Sequence, residues 1–268
     1  LLEASDVLST ISAFQAMGVS IRWSPGKSCQ IVGVGLRGLQ APQSDLDLGN
    51  SGTSMRLLCG VLAGQTFRST LTGDQSLLNR PMERVTTPLN KMGASIRASE
   101  GGVAPLDIQP VSQLNGMDYR MPIASAQVKS AILLAGLYAR NRTIIREEVL
   151  TRDHTERMLT NFSHSVIKKG NQISIKKADR LIGCEIIVPG DFSSAAYFIV
   201  AAILTPNSNI ILENVGVNPT RNAMIKIMKL MGADVELKNE RLESGEPVAT
   251  IYAKTSKLIG IDIPEELV

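Results

Sequence analysis

The sequence predicts an α/β (α+β) fold built from repeated βαβαββ units, with helices packed behind sheets and two domains. Three observations carry that expectation. The 268 residues are 44% hydrophobic, enough to bury more than one core. Four amphipathic segments end at Gly18, Gly93, Ser163 and Gly232, spaced by 75, 70 and 69 residues. Helices rich in small residues begin near Gly52, Ala126 and Ser194, offset by 74 and 68 residues.

The four amphipathic segments are ISAFQAMGVSIR (11–22), TTPLNKMGASIR (86–97), RMLTNFSHSVIK (157–168) and MIKIMKLMGADVEL (224–237). Each reads as a helix closed by a residue in the left-handed cap position and followed by a strand of alternating pattern. The small-residue helices lie in GNSGTSMRLLCGVLAG, SAQVKSAILLAG and DFSSAAYFIVAAIL, each preceded by a strand-like segment. Each is followed by another: TFRSTLTG, TIIREEV or NIILENVG. The unit is therefore strand, small-residue helix, strand, capped helix, strand, strand. Complete copies span 44–111, 117–178 and 185–255, with the tail half of a copy at 1–35 and the start of another at 256–268. A chain that begins and ends inside its own repeat reads as an interior piece.

Composition excludes several classes of protein. No apolar run approaches the roughly 18 residues of a membrane span, and LLEASDVLST has neither the basic region nor the cleavage site of a signal peptide. Cys29, Cys59 and Cys184 are odd in number and outside any C-x-x-C pattern, which argues against disulfides and zinc and for a reducing cytoplasm. Cys59 shares a helical stripe with Met55, Leu58 and Leu62 and reads as core. A net charge of +3 with four Tyr, five Phe and one Trp gives no basis for nucleic-acid binding. GVGLRG (33–38) matches a dinucleotide fingerprint, but the polar QAPQSD follows it where a helix would be needed. No H-x-x-H, C-x-x-C or D-x-D cluster suggests a metal. His154 reads as a surface or capping residue, and His164 as surface.

The informative residues are cations where cations are disfavoured. A helix N-terminus carries unsatisfied N–H groups and roughly half a positive charge, so acids belong there. Arg56 stands at the head of the helix opened by the glycine-rich turn, and Arg80 directly precedes Pro81, a residue favoured at the first helical position. Lys129 follows Ser125, Arg152 follows Thr151, and Arg221 follows Asn218 and Pro219, each reading as the start of a helix. Asp191, by contrast, opens its helix with an ordinary acidic cap. A bound anion resolves the five conflicts together: it accepts the free N–H groups, suits the dipole and pairs with the cation. Gly49 and Gly52 would let backbone approach it closely. The expected ligand is small and multiply anionic.

LGNSGTSMR, LLNRPMERV, SAQVKSA, LTRDHTERML and VPGDFSSAAYFIVAA occur in the order found in 5-enolpyruvylshikimate-3-phosphate (EPSP) synthases, and the chain resembles that family over essentially its whole length. SAQVKS looks like the second bacterial class, while Gly52 looks like the glyphosate-sensitive form. The resemblance implies the enolpyruvyl transferase fold, with residues 1–187 in the N-terminal domain and 188–268 in part of the C-terminal domain. It implies transfer of the enolpyruvyl group of phosphoenolpyruvate to the 5-hydroxyl of shikimate 3-phosphate, without metal or nucleotide cofactor. Glyphosate would inhibit, and the protein would be a cytoplasmic monomer. Carried over by motif, Gly52 and Arg80 would contact phosphoenolpyruvate, with Asn50 and Arg56 shaping its pocket. Ser125, Ala126 and Gln127 would line the shikimate 3-phosphate site, Gln127 touching both ligands, and Arg152 would hold the 3-phosphate.

The family's proton-transfer groups are a Lys in K-S-x-S-x-R, an Asp in I-D-E-x-P and a Glu in R-x-K-E-S-D-R. None of these segments occurs here, and Asp262, before PEELV, is not an equivalent of the second, so no catalytic residue is expected within the chain. The rivals are UDP-N-acetylglucosamine enolpyruvyl transferase, which would need a reactive loop cysteine, RNA 3′-phosphate cyclase, which would need a nucleotide site, and a non-catalytic anion-binding module of the same fold.

Overall fold

In the computed structural model, residues 3–24, 26 and 28–267 are described. The expected start at Leu1 and end at Val268 lie outside them. The chain forms two compact units: the residues up to Thr151 with Phe162–Gly183, and Arg152–Asn161 with the residues from Cys184 onward. The family resemblance implies a boundary after residue 187. The units part at Gly183, and the 152–161 segment goes with the second.

The first unit opens with α1 (Ser5–Ala16) and the antiparallel pair β1 (Ser20–Arg22) and β2 (Gln30–Val32). This is the second half of a repeat, as the tail-half reading expects. After the fingerprint-like GVGLRG the chain is irregular up to Leu46, and no helix follows it. The first full copy runs β3 (Leu46–Asp47), α2 (Gly52–Leu62), β4 (Ser69–Thr72), a one-turn α3 (Gln75–Leu78), α4 (Glu83–Lys91), β5 (Ser95–Ser99) and β6 (Val103–Gln109). The next supplies β7 (Asp118–Arg120), α5 (Ala126–Gly136), β8 (Thr143–Arg146), α6 (His154–Asn161), β9 (Val166–Lys169) and β10 (Gln172–Ile175). The sheets are ordered β3-β4-β6-β5 and β7-β8-β10-β9. In each, only the first pair is parallel, because a crossover helix separates those two strands.

Small residues set the distance between α2 and α5. A side chain at Gly60 would place its Cβ 2.2 Å from the Ala131 carbonyl oxygen, so the helices approach almost backbone to backbone. Met55, Leu58, Leu62, Ile132 and Leu133 fill the remaining space and are essentially inaccessible. Each such side chain contributes about 1.5–3 kcal/mol on burial. The consequence for the site is that two helix N-termini start side by side.

The second unit contains α6, α7 (Phe192–Leu204), β11 (Asn209–Gly216), α8 (Ala223–Leu230), β12 (Val235–Glu243) and β13 (Glu246–Lys254). Its sheet is three-stranded, ordered β11-β13-β12. The strand expected before α7 is reduced to a single parallel bridge between Gly190 and Val215. Pro189 has no N–H to donate to a ladder, and Ile187 and Val188 are exposed. Phe192, Ile199, Ile203, Val215, Val235 and Ile251 form the core of this unit.

All four repeat landmarks have left-handed backbone: φ is +85° at Gly18, +91° at Gly93, +60° at Ser163 and +89° at Gly232. At Gly18, Gly93 and Gly232 the residue's N–H and that of its successor both fold back onto the last helical turn. This is the Schellman closure that such a position permits. The 69–75-residue period is thus a period of helix endings.

Candidate anion-binding site

Ser51 caps α2 by accepting the Ser54 N–H at 3.3 Å, and Ser125 caps α5 by accepting the Val128 N–H at 3.4 Å. Neither cap is charged, so the positive end of each helix keeps its preference for an anion. Arg56 lies one residue beyond the first turn of α2, but helical side chains lean toward the N-terminus. Its Nη1 therefore reaches back to the Gly52 carbonyl at 3.4 Å and donates to Gln127 Oε1 at 2.8 Å. Gln127 in turn donates to Thr53 Oγ1 at 2.8 Å. One glutamine thus ties the heads of α2 and α5 together.

Arg56 is buried, and its Nε has no hydrogen-bond partner among the described residues. Burial lowers its pKa, and the nearby charges of Arg84 and Arg80 lower it further. Its acceptors are neutral oxygens. Arg80 stands across the Gly52 turn: a Cβ built on Gly52 would lie 2.9 Å from Nη1 of both Arg56 and Arg80. The absent side chain is what lets two guanidinium groups converge on this backbone.

Arg80 is aimed by a relay. Its Nη2 donates to Asn50 Oδ1 and, at 3.4 Å, to Ser76 Oγ. The Asn50 amide donates to Asp74 Oδ2 at 2.7 Å. The Asn50 hydrogen bond, followed by the Leu77 N–H, holds the Asp74 carboxyl below its ordinary value. No ion pair engages Arg56 or Arg80 among the described residues. The turn is strongly cationic and preorganised, the arrangement that a phosphate or carboxylate neutralises.

The five cations therefore separate. Arg56 and Arg80 converge with Asn50, Gly52 and Gln127. Ser125 and Ala126 sit at the head of α5, where the Ser125 hydroxyl accepts the Val128 N–H and keeps its own hydrogen to donate. Lys129 does not face a ligand: it is fully buried, 3.3 Å from Glu147 Oε2. Arg221 is occupied as well, donating to Ser193 Oγ at 2.5 Å and lying 3.5 Å from Asp191 Oδ1. Arg152 is an exposed residue of the second unit.

Several expected helix starts also move. Pro81 precedes α4 by two residues, with Met82 in the cap position. Thr151 does not cap α6, because its N–H and hydroxyl both donate to Glu147. Asn218 closes a turn onto Thr220, and α8 begins after Asn222. His154 is not simply a surface residue, since its Nδ1 lies 2.8 Å from Glu246 Oε1.

Cys59 is buried and its thiol is pushed up to about 12, first by burial, which makes it inert core. Asp74, Thr53, Ser76 and Arg84 belong to the site region and escaped the sequence reading. Asp74 was findable as a cap: it precedes QSLL and accepts the Leu77 N–H at 2.8 Å. Its link to Asn50 spans 24 residues and had no local signal. Among the described residues, no group of three or more His, Cys, Asp or Glu could hold a metal, and no helix is long and apolar enough to cross a membrane.

The fold defines a class: repeated βαβαββ units whose helix N-termini bring cationic side chains together at a glycine-rich turn. The family model described as EPSP synthase (3-phosphoshikimate 1-carboxyvinyltransferase) matches residues 1–266. The chain is 54% identical over 267 residues to the 3-phosphoshikimate 1-carboxyvinyltransferase of Alkalilimnicola ehrlichii, covering 100% of this chain and 60% of that protein. It is 53% identical to that of Methylococcus capsulatus, covering 100% and 61%. Its structure resembles that of EPSP synthase from Acinetobacter baumannii with a TM-score of 0.92 and 51% identity, over 100% of this chain and 61% of that one. The chain belongs to the EPSP synthase family. It spans about 60% of the length of the curated relatives it matches.

Proposed function

We propose that the whole protein transfers the enolpyruvyl group of phosphoenolpyruvate to the 5-hydroxyl of shikimate 3-phosphate, releasing phosphate. The observation that carries this reading is the pair of guanidinium groups on Arg56 and Arg80, closed around Gly52 with no carboxylate among the described residues paired to either. Phosphoenolpyruvate brings a carboxylate and a phosphate, the charges such a turn lacks. In this reading Gly52 and Arg80 contact phosphoenolpyruvate while Asn50 and Arg56 shape its pocket, and the Asp74–Asn50 relay supports the aim of Arg80. Ser125, Ala126 and Gln127 line the site for shikimate 3-phosphate, Gln127 touches both ligands, and Arg152 holds the 3-phosphate. Glyphosate inhibits by occupying the phosphoenolpyruvate side, and the protein acts as a cytoplasmic monomer.

Chemically, the reaction needs a proton delivered to the methylene carbon of phosphoenolpyruvate and one removed from the sugar hydroxyl. The residues of this chain bind and orient the two anions, and the proton-transfer groups are assigned to the remainder of the protein. Phosphate release from the full-length protein tests the reading. It should require both phosphoenolpyruvate and shikimate 3-phosphate. Turnover with UDP-N-acetylglucosamine as the acceptor would refute it.

A further inference from the structure

A buried ion pair holds the chain immediately before Arg152. The side chains of Lys129 on α5 and Glu147 after β8 are both wholly inaccessible, with Nζ 3.3 Å from Oε2. Lys129 Nζ also donates to the Thr151 carbonyl at 3.2 Å. Glu147 Oε1 accepts the Thr151 N–H at 3.1 Å and its hydroxyl as well. The N–H, the carbonyl and the hydroxyl of Thr151 thus all end on one charged pair.

Stability does not account for this arrangement. Withdrawing two charges from water is costly, and an apolar pair of similar volume usually holds a fold as well or better. What an apolar pair cannot do is grip a backbone N–H and carbonyl at once. Within the second unit, Asp153 Oδ1 accepts from Asn218 Nδ2 at 2.8 Å and from Arg157 Nε at 2.9 Å. Arg152, bonded directly to Thr151, is itself exposed.

We propose that Lys129 and Glu147 are positioning residues that fix the backbone from which Arg152 reaches the phosphate of the sugar substrate. The inference rests on the reading of Arg152 given above. The test uses the full-length protein with Lys129→Met and Glu147→Leu combined, which removes both members of the pair together. Thermal unfolding should be little changed. The dissociation constant for shikimate 3-phosphate, measured by calorimetry, should rise about tenfold, a coupling of ordinary size for one polar network. The KM for phosphoenolpyruvate should stay within about twofold, the spread expected of uncoupled sites. In an Arg152→Ala background the same double substitution should add little, because the group being positioned is gone.

Wild-type affinity in the double variant overturns the positioning role. Unchanged affinity in Arg152→Ala alone overturns the phosphate reading instead, so the two failures are distinguishable. Should the double variant not fold, Thr151→Val removes only the hydroxyl donor. A rise of about threefold in the same constant is then expected from one lost hydrogen bond. No change there is equally fatal to the proposal.

Discussion

The heads of α2 and α7 occupy equivalent places in the repeat and are finished in opposite ways. At α7 the cap is a carboxylate: Asp191 accepts the Ser194 N–H at 2.8 Å and its hydroxyl at 2.9 Å, and Arg221 approaches at 3.5 Å. Burial pushes the Asp191 carboxyl up, but the Ser194 and Ser193 N–H groups, the Ser194 hydroxyl and the Arg221 charge outweigh it and hold it low. Dipole, acid and cation satisfy one another within the chain. At α2 the cap is the neutral Ser51, and among the described residues the cations Arg56 and Arg80 hydrogen-bond to neutral oxygens. The repeat supplies the same geometry twice, and one acidic side chain decides whether the positive helix end and its cation are neutralised within the chain.

The comparison breaks most severely if Arg80 is removed. In the full-length protein, Arg80→Ala should cost about 1.5–3 kcal/mol of phosphoenolpyruvate binding, the worth of a charge-assisted hydrogen bond, and much less for shikimate 3-phosphate. Isothermal titration with each ligand decides it, and equal losses for both would leave the residue merely structural.

A smaller effect is expected at the closed end. Asp191→Ala removes a cap and should destabilise by about 1 kcal/mol in chemical denaturation at neutral pH. Because the folded pKa of Asp191 is depressed, its contribution is full above the unfolded value of about 3.9 and is lost as pH falls through the folded value. The stability gap between wild type and Asp191→Asn should therefore close in acid. A gap that is constant with pH would mean that the carboxyl's ionisation contributes nothing there.

The smallest expected effect sharpens the contrast at the open end. Gly52→Ala places a methyl 2.9 Å from the tips of two flexible guanidinium groups, which can yield by a few tenths of an ångström. Phosphoenolpyruvate affinity should fall only a few-fold, about 1 kcal/mol or less. Glyphosate affinity should fall further, because the inhibitor is longer. Inhibition constants for the variant check this, and unchanged glyphosate inhibition would place Gly52 outside the pocket.

α5 and α7 show how burial follows from what surrounds a helix. Both are rich in small apolar residues, yet α5 is enclosed along most of its length, whereas Tyr197, Phe198 and Leu204 on α7 are 79%, 62% and 64% exposed. The sequence of α7 is apolar all round, the pattern of a helix meant to be covered on every side.

Local chemistry was legible in the sequence by itself. Gly18, Gly93, Ser163 and Gly232 could be placed at helix ends because few residues other than Gly and small polar ones accept positive φ. Ser51, Ser125 and Asp191 could be placed at helix starts because their short side chains reach an N–H three residues on. Those two signals yield the repeat, and the repeat with the glycine-rich turn indicates an anion. Tertiary structure alone decided which cations were available to it. Lys129 found Glu147 across 18 residues and Arg221 found Asp191 and Ser193 across about thirty, while among the described residues Arg56 and Arg80 found amides, carbonyls and hydroxyls. A charge's partner is fixed by proximity in space, which sets the Coulomb energy and has no period along the chain. A helix cap is settled within one turn; a salt bridge is settled only when the whole unit has folded.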